Sequence, residues 1–269
     1  KERPVNALSS LQMGDLDESL KQLQDQIRKD SSNPKHRVFL FQLLAVIGNW
    51  ERALNQLNVS GELDAANLPM VQTYRETIRC ELLREKVFKA QTTPIMFGEP
   101  QQWQALLLES LQLAAAGNYE EALQIRDQAY DLAPTVGGTI NGEPFQWLAD
   151  TDTRLGPVLE LIVNGKYYWV PSTNIQKLEI EAPVDLRDLV WLPAQVTWAN
   201  GGAAACFIPA RYPGSEASED SGIRLARKTE WQEPHPGHAF GLGQKVFATD
   251  SQDYALFDIR ELVFHAQGT

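Results

Sequence analysis

Three seven-residue stretches of this 269-residue chain share one pattern, and their spacing constrains the fold more than any other feature. They are Gly14-Asp15-Leu16-Asp17-Glu18-Ser19-Leu20, Gly48-Asn49-Trp50-Glu51-Arg52-Ala53-Leu54 and Gly117-Asn118-Tyr119-Glu120-Glu121-Ala122-Leu123. Each reads glycine, Asp or Asn, a large apolar residue, an acid, a variable position, a small residue, leucine. Gly14 and Gly48 are 34 residues apart, and Gly48 and Gly117 are 69 apart, close to two such periods. That is the spacing of tetratricopeptide-type helical repeats.

The pattern has a mechanical reading. A glycine ends one helix in a left-handed conformation that a β-carbon penalises, and the Asp or Asn after it starts the next helix. Ser19, Ala53 and Ala122 fall where a small side chain lets the second helix lie close to the first. Leu16, Trp50 and Tyr119 fill the space beside that contact. Asp30 to Pro34 and Ala133-Pro134 stand where the second helices should stop, because proline cannot continue a helix. Three helical hairpins are expected. Between Gly48 and Gly117 the register is interrupted by one long helical pattern over residues 68–91, with Val71, Tyr74, Ile78 and Leu82 at helical spacing.

After Pro134 the texture changes to a Gly- and Pro-rich joint, residues 135–144. The expected organisation is α+β in two domains: tetratricopeptide-like helical repeats over 1–134 and a mixed α+β domain with an antiparallel-dominated sheet over 145–269. A short helix is expected around 145–150. Asn164-Gly165 between the apolar runs 158–163 and 166–170 is a strong β-hairpin signal. Further strands are expected at 177–180, 195–198, 203–208, 245–248 and 262–265. Two loops stand out: 213–222, acidic and expected to be flexible, and 233–243, with two His, two Pro and three Gly.

Composition narrows the function classes. The net charge of -11 repels nucleic acid and anionic membrane, and favours a partner with a basic or amphipathic surface. No run approaches the roughly 18 apolar residues of a membrane-spanning helix. Cys80 and Cys206 read as buried thiols of a reducing compartment, and the start of the sequence lacks the apolar core of a secretory signal, so a cytoplasmic protein is expected.

Candidate chemistry is sparse. His235 and His238 are the first residues to test for a metal site, but no Cys pair or His-Glu helix motif accompanies them. Cys206 sits among apolar residues that make a thiol inert. Gly241-Leu242-Gly243-Gln244-Lys245 lacks the full glycine spacing and the Lys-Ser/Thr ending of a phosphate loop. Asp150, Asp152 and Arg154, and Asp185, Arg187 and Asp188, read as helix caps and structural ion pairs. Arg224, Arg227 and Lys228 are expected to face the acidic 216–220 loop, and most of Trp103, Trp147, Trp169, Trp191, Trp198 and Trp231 to pack in cores. No cofactor is expected. An enzyme reading, a metal-dependent hydrolase, would centre on His235, His238 and the Asp150/Asp152/Arg154 cluster.

Longer blocks carry a family likeness. They are Phe145-Gln146-Trp147-Leu148-Ala149-Asp150-Thr151-Asp152-Thr153-Arg154-Leu155-Gly156-Pro157-Val158-Leu159-Glu160, Asn164-Gly165-Lys166-Tyr167-Tyr168-Trp169-Val170-Pro171, Asp185-Leu186-Arg187-Asp188-Leu189-Val190-Trp191, Ile208-Pro209-Ala210-Arg211-Tyr212-Pro213-Gly214-Ser215-Glu216 and Leu225-Ala226-Arg227-Lys228-Thr229-Glu230-Trp231. In these blocks and in its N-terminal repeats the chain resembles the ImpE family over nearly its full length. The resemblance implies a cytoplasmic accessory of a type VI secretion system. Such a protein binds the N-terminal helix of the small sheath subunit and, through it, touches sheath recycling by an AAA+ ATPase. It brings no catalytic motif with it.

Together, repeats and resemblance place an amphipathic partner helix in a groove of the array. In a tetratricopeptide register the concave face is lined by the first helix of each hairpin, at Leu8, Leu11, Val38, Gln42, Ala45, Leu107, Leu111 and Ala114. Docking on the C-terminal sheet or at the joint between domains stays equally open.

Overall fold

The structure, a computed structural model, describes residues 7–265, with side chains described from Ser10 onward. Among these residues, seven α-helices fill the N-terminal half: α1 (Ala7–Gln12), α2 (Leu16–Lys29), α3 (Pro34–Ile47), α4 (Trp50–Leu63), α5 (Leu68–Phe88), α6 (Gln102–Ala115) and α7 (Tyr119–Leu132). Gly14, Gly48 and Gly117 have φ of 83°, 78° and 84°, the left-handed values that the repeat pattern requires. Asp15 then accepts from the Glu18 N–H at 2.9 Å, and Asn49 from the Arg52 N–H at 3.3 Å, so each opens the following helix. Ser19, Ala53 and Ala122 are fully buried where the hairpins α1–α2, α3–α4 and α6–α7 close. Leu16 and Trp50 are buried beside them, whereas Tyr119 is half-exposed.

The single helix α5 replaces the missing hairpin. Its buried stripe departs from the expected one: Leu82 is exposed, and the stripe runs instead from Val71, Tyr74 and Ile78 through Glu81 and Arg84. Charged side chains continue the core-facing line because the sheet supplies partners for them.

After α5 comes a two-residue strand, β1 (Ile95–Met96). The C-terminal half adds β2 (Gly138–Ile140), β3 (Glu143–Phe145), β4 (Leu148–Asp150), β5 (Val158–Val163), β6 (Lys166–Pro171), β7 (Ile175–Ile180), β8 (Trp191–Trp198), β9 (Ala203–Pro209), the four-residue helix α8 (Ser221–Arg224), β10 (Thr229–Gln232), β11 (Phe240–Gly243), β12 (Val246–Thr249), β13 (Asp253–Ala255) and β14 (Glu261–Phe264). The main sheet runs β1-β6-β5-β9-β8-β7-β14-β2-β3. Every neighbouring pair is antiparallel except β1 with β6, so the α+β class with an antiparallel-dominated sheet is what the chain adopts.

The helix expected around 145–150 is absent: the segment forms the end of β3 and then β4. Leu148, Ala149 and Asp150 alternate buried, half-buried, buried, and β4 pairs with β12. A period of two with a pairing partner overrides helical propensity. Pro144 is tolerated because β3 is an edge strand. The 213–222 segment is likewise ordered rather than loose, with Ser215 fully buried and donating to the Tyr212 carbonyl.

The helices pack on one face of the sheet. Leu23, Phe41, Ile78 and Leu107 share a core with Val158, Ile162, Trp169 and Trp191. The small sheet β13-β12-β4 packs on the other, where Phe247 and Leu148 join Leu159, Leu161, Leu178 and Leu262. Strand β5 is buried at all six positions because it contributes to both cores. Trp191 lies with its ring 5.8 Å from Trp50 and 5.9 Å from Tyr74, joining sheet to helices.

Candidate functional site

Two places concentrate unusual chemistry: a cluster of buried charges between helices and sheet, and an apolar groove at the N-terminal end of the array. In the cluster, Arg84 Nε meets Glu160 Oε1 at 2.6 Å and its Nη1 meets Glu81 at 2.9 Å. Lys245 bridges Glu160 and Asp150, at 2.7 Å each. Tyr167 donates to Glu160 at 2.5 Å, Trp169 donates to Tyr167, Trp191 donates to Glu81, and Tyr212 donates to Asp150 at 2.9 Å. All of these side chains are buried.

The electrostatics follow from that geometry. Burial by itself would raise the Glu160 carboxyl, but Arg84 and Lys245 hold it down at about 2. Asp150 goes the other way, because burial outweighs its single cation, Lys245. Burial lowers Arg211 to about 10, since carbonyls rather than a carboxylate receive it: its guanidinium donates to Val46 O at 2.8 Å and to Arg224 O. Each group in the cluster is matched by an opposite charge or an acceptor, so the arrangement fastens the halves together.

The other chemical candidates resolve similarly. Asp152 is fully buried and accepts from Arg154 and from the Gly241 N–H at 2.9 Å, while the Arg154 guanidinium lies 4.4 Å from the centre of the Phe240 ring. His238 pairs its Nε2 with Tyr119 O at 2.9 Å, and its ring and that of His235 lie against the Tyr119 ring. Burial shifts His238 downward, towards the neutral form. Among the described residues no three His, Cys, Asp or Glu side chains are grouped as a metal site would need. Burial pushes both Cys80 and Cys206 up to about 12, which leaves them as unreactive thiols. Gly241 and Gly243 serve packing: a β-carbon at 241 would lie 2.2 Å from the Tyr212 ring.

The groove has a volume of about 900 Å³. One wall is helical, with Leu11 of α1 and Pro34, Val38, Phe39 and Gln42 of α3. The C-terminal half contributes Pro183, Val184, Leu186, Leu189, Leu225 and Arg227, and the polar Gln12, Gln26, Lys35, Asp64, Asn67 and Asp185 complete the lining. Two contacts fix the walls to each other. The Arg187 N–H donates to Gln42 Oε1 at 3.3 Å, and the Arg187 guanidinium lies 4.7 Å from the centre of the Tyr74 ring. Arg227 does not face the 216–220 loop as expected. It donates instead to the Leu11 and Gln12 carbonyls at 3.2 and 3.3 Å, capping the end of α1, a favourable place for a cation. Lys228 does meet that loop, at Asp220.

Of the residues expected to line a concave face, Leu11, Val38 and Gln42 come together in this groove. The Leu8 side chain lies outside the described residues. The other four are displaced from it: Ala45 is fully buried on α3, and Leu107, Leu111 and Ala114 of α6 are buried. Leu107 and Leu111 share a core with Val158 and Trp169. Ala45, Leu107 and Leu111 lie in the core that helices and sheet share, so in this fold they are packed within the chain. What sequence reasoning missed was the wall at 183–189. Its local signal is Pro183-Val184, apolar residues directly before the Asp185-Leu186-Arg187-Asp188 turn.

Comparison with known proteins agrees with this architecture. The sequence model for the family described as ImpE protein matches residues 142–263. The chain is 55% identical over 254 residues to the type VI secretion system accessory component TagJ of Pseudomonas aeruginosa, covering 94% of this chain and 89% of that protein. The crystal structure of protein VPA1032 from Vibrio parahaemolyticus superimposes with a TM-score of 0.88 at 25% identity, over 97% of this chain and 98% of that one. A likeness this extensive, carried through helical array and sheet alike, establishes that the chain belongs to the ImpE family.

Proposed function

We propose that this chain is a non-enzymatic, cytoplasmic accessory of a type VI secretion system. It holds the N-terminal helix of the small sheath subunit and is linked through that contact to sheath recycling by the AAA+ ATPase. The observation that carries the reading is the groove between α1, α3 and residues 183–189, whose lining mixes Leu11, Val38, Phe39, Val184, Leu186 and Leu189 with polar side chains and whose volume is about 900 Å³, a combination suited to one face of an amphipathic helix. The role named for the TagJ relative, an accessory component, supports it. So does the saturation of the buried charges by one another, which leaves the structure's strongest electrostatics committed to folding. No helix among the described residues is long and apolar enough to cross a membrane.

Calorimetric titration of the full chain with a synthetic peptide of that sheath helix tests the reading. One saturable site per chain is the expected result. Val38→Glu, at a half-buried position in the groove wall, should weaken binding by at least about 10-fold, equivalent to about 1.4 kcal/mol. Absence of binding by the unaltered chain would remove the proposal.

A further inference from the structure

We propose that His238 is a pH-operated clasp: its neutral imidazole pins residues 233–238 to the start of α7, and protonation of the ring releases that segment and uncovers Tyr119 and Leu123 beneath it. The inference is independent of the partner reading above.

Within 233–238, His238 is the one buried residue; Glu233, Pro234, Pro236 and Gly237 are exposed and His235 is half-exposed. The segment is therefore held down at few points. The His238 Nε2 donates to the Tyr119 carbonyl at 2.9 Å, and the Gly237 carbonyl accepts from Arg126 Nη1 at 2.7 Å. Gly237 lies over Leu123, whose Cδ1 is 3.3 Å from where a β-carbon at 237 would stand. The chain just after it is fastened separately: Ala239 exchanges hydrogen bonds with Thr153, and the Gly241 N–H donates to Asp152. Releasing His238 thus frees 233–238 while β11 keeps its anchors.

The surroundings oppose a second proton on the ring. A carbonyl can only accept, so Nε2 carries the hydrogen of the neutral imidazole and Nδ1 is bare. Nδ1 has no hydrogen-bond partner among the described residues, and protonation would make it a donor with nothing to receive it. The new charge would stand near Arg126, whose buried Nε already lacks a partner, and near the His235 ring, 6.2 Å away between centres. It would also lie at the positive end of α7. The acid that faces it, Asp127, is mostly exposed and already paired with Arg126 at 3.2 Å, and Glu120 and Glu121 of the first turn of α7 point their charge into solvent. The rings of Tyr119 and Phe240 complete the contact. Burial, with Arg126 and His235, holds His238 below its ordinary 6.5, so the clasp has its full strength above that pH and loses it as pH falls.

NMR of the full chain and of His238→Gln tests this, because a glutamine amide can still donate to the Tyr119 carbonyl but cannot gain a proton. In the parent chain the His238 ring should titrate below 6.5. Hydrogen-exchange protection of the His238 amide, corrected for intrinsic rate, should fall at least about threefold between about pH 7.5 and about pH 5.5, while that of the Gly241 amide holds. In His238→Gln the protection at 238 should not change over that range. Titration of the parent ring at or above 6.5, or a His238 amide equally protected at both pH values, overturns the clasp. So does a His238→Gln chain that loses protection as the parent does, since another group would then be the sensor. Should the variant fail to close its loop at all, the two readings on the parent chain decide the matter by themselves.

Discussion

Replacing Glu160 by Gln is expected to destabilise the folded chain by about 3–5 kcal/mol, read as a lower denaturant midpoint with an unchanged slope. The substitution keeps the shape but removes the counter-charge shared by Arg84 and Lys245, which stay buried with only Glu81 and Asp150 to balance them. The loss should also depend on pH. The Glu160 carboxyl lies at about 2 in the fold against an ordinary 4.5, so its stabilisation is complete above about pH 4.5 and disappears as pH falls towards 2. Asp150, raised by burial, works in the opposite sense: it opposes folding as pH rises past its ordinary 3.8. Glu160→Gln should therefore flatten the acid limb of the stability curve. A Glu160→Gln variant with the parent's midpoint and acid limb would mean that the cluster contributes nothing net to holding helices and sheet together.

That cluster marks the boundary of what the sequence discloses. The hinges at Gly14, Gly48 and Gly117 could be read because each is a local event: a left-handed glycine and the residue that starts the next helix are neighbours in the chain. The hairpin β5–β6 could be read for the same reason, its Asn164-Gly165 turn standing between two apolar runs. By contrast Arg84 and Glu160 are separated by 76 residues, and no local pattern announces their pairing. One clue was present. Glu160 is a lone acid inside Val158–Val163, a run otherwise apolar throughout, and an acid in a strand buried on both faces requires a buried cation. Of the helical residues that line the groove, the repeat register named Leu11, Val38 and Gln42 but not Pro34 or Phe39, and it also named Ala45, Leu107, Leu111 and Ala114, which do not line it. The wall at 183–189 is brought to α3 only by long-range packing of the two halves, and the same packing buries Leu107 and Leu111.

Gly243→Ala is expected to cost about 3 kcal/mol or more, because two penalties coincide there. Gly243 has φ of 90°, a conformation that an L side chain adopts only under strain, and an added β-carbon would sit 2.0 Å from the Lys228 carbonyl oxygen. That oxygen accepts from the Gln244 N–H at 3.0 Å, and the Gly243 N–H donates to the buried Ser215 Oγ at 2.8 Å, so moving either strand to relieve the clash gives up a hydrogen bond. Gly117→Ala isolates the first penalty: its φ is 84°, yet nothing lies within 4 Å of where the β-carbon would be. It should cost only about 1–2 kcal/mol. The difference between the two variants in equilibrium unfolding measures the clash alone. Equal losses would mean that the β10–β11 hairpin shifts freely, and the glycines of the 241–243 segment would then be there for some reason other than close packing against Lys228 and Tyr212.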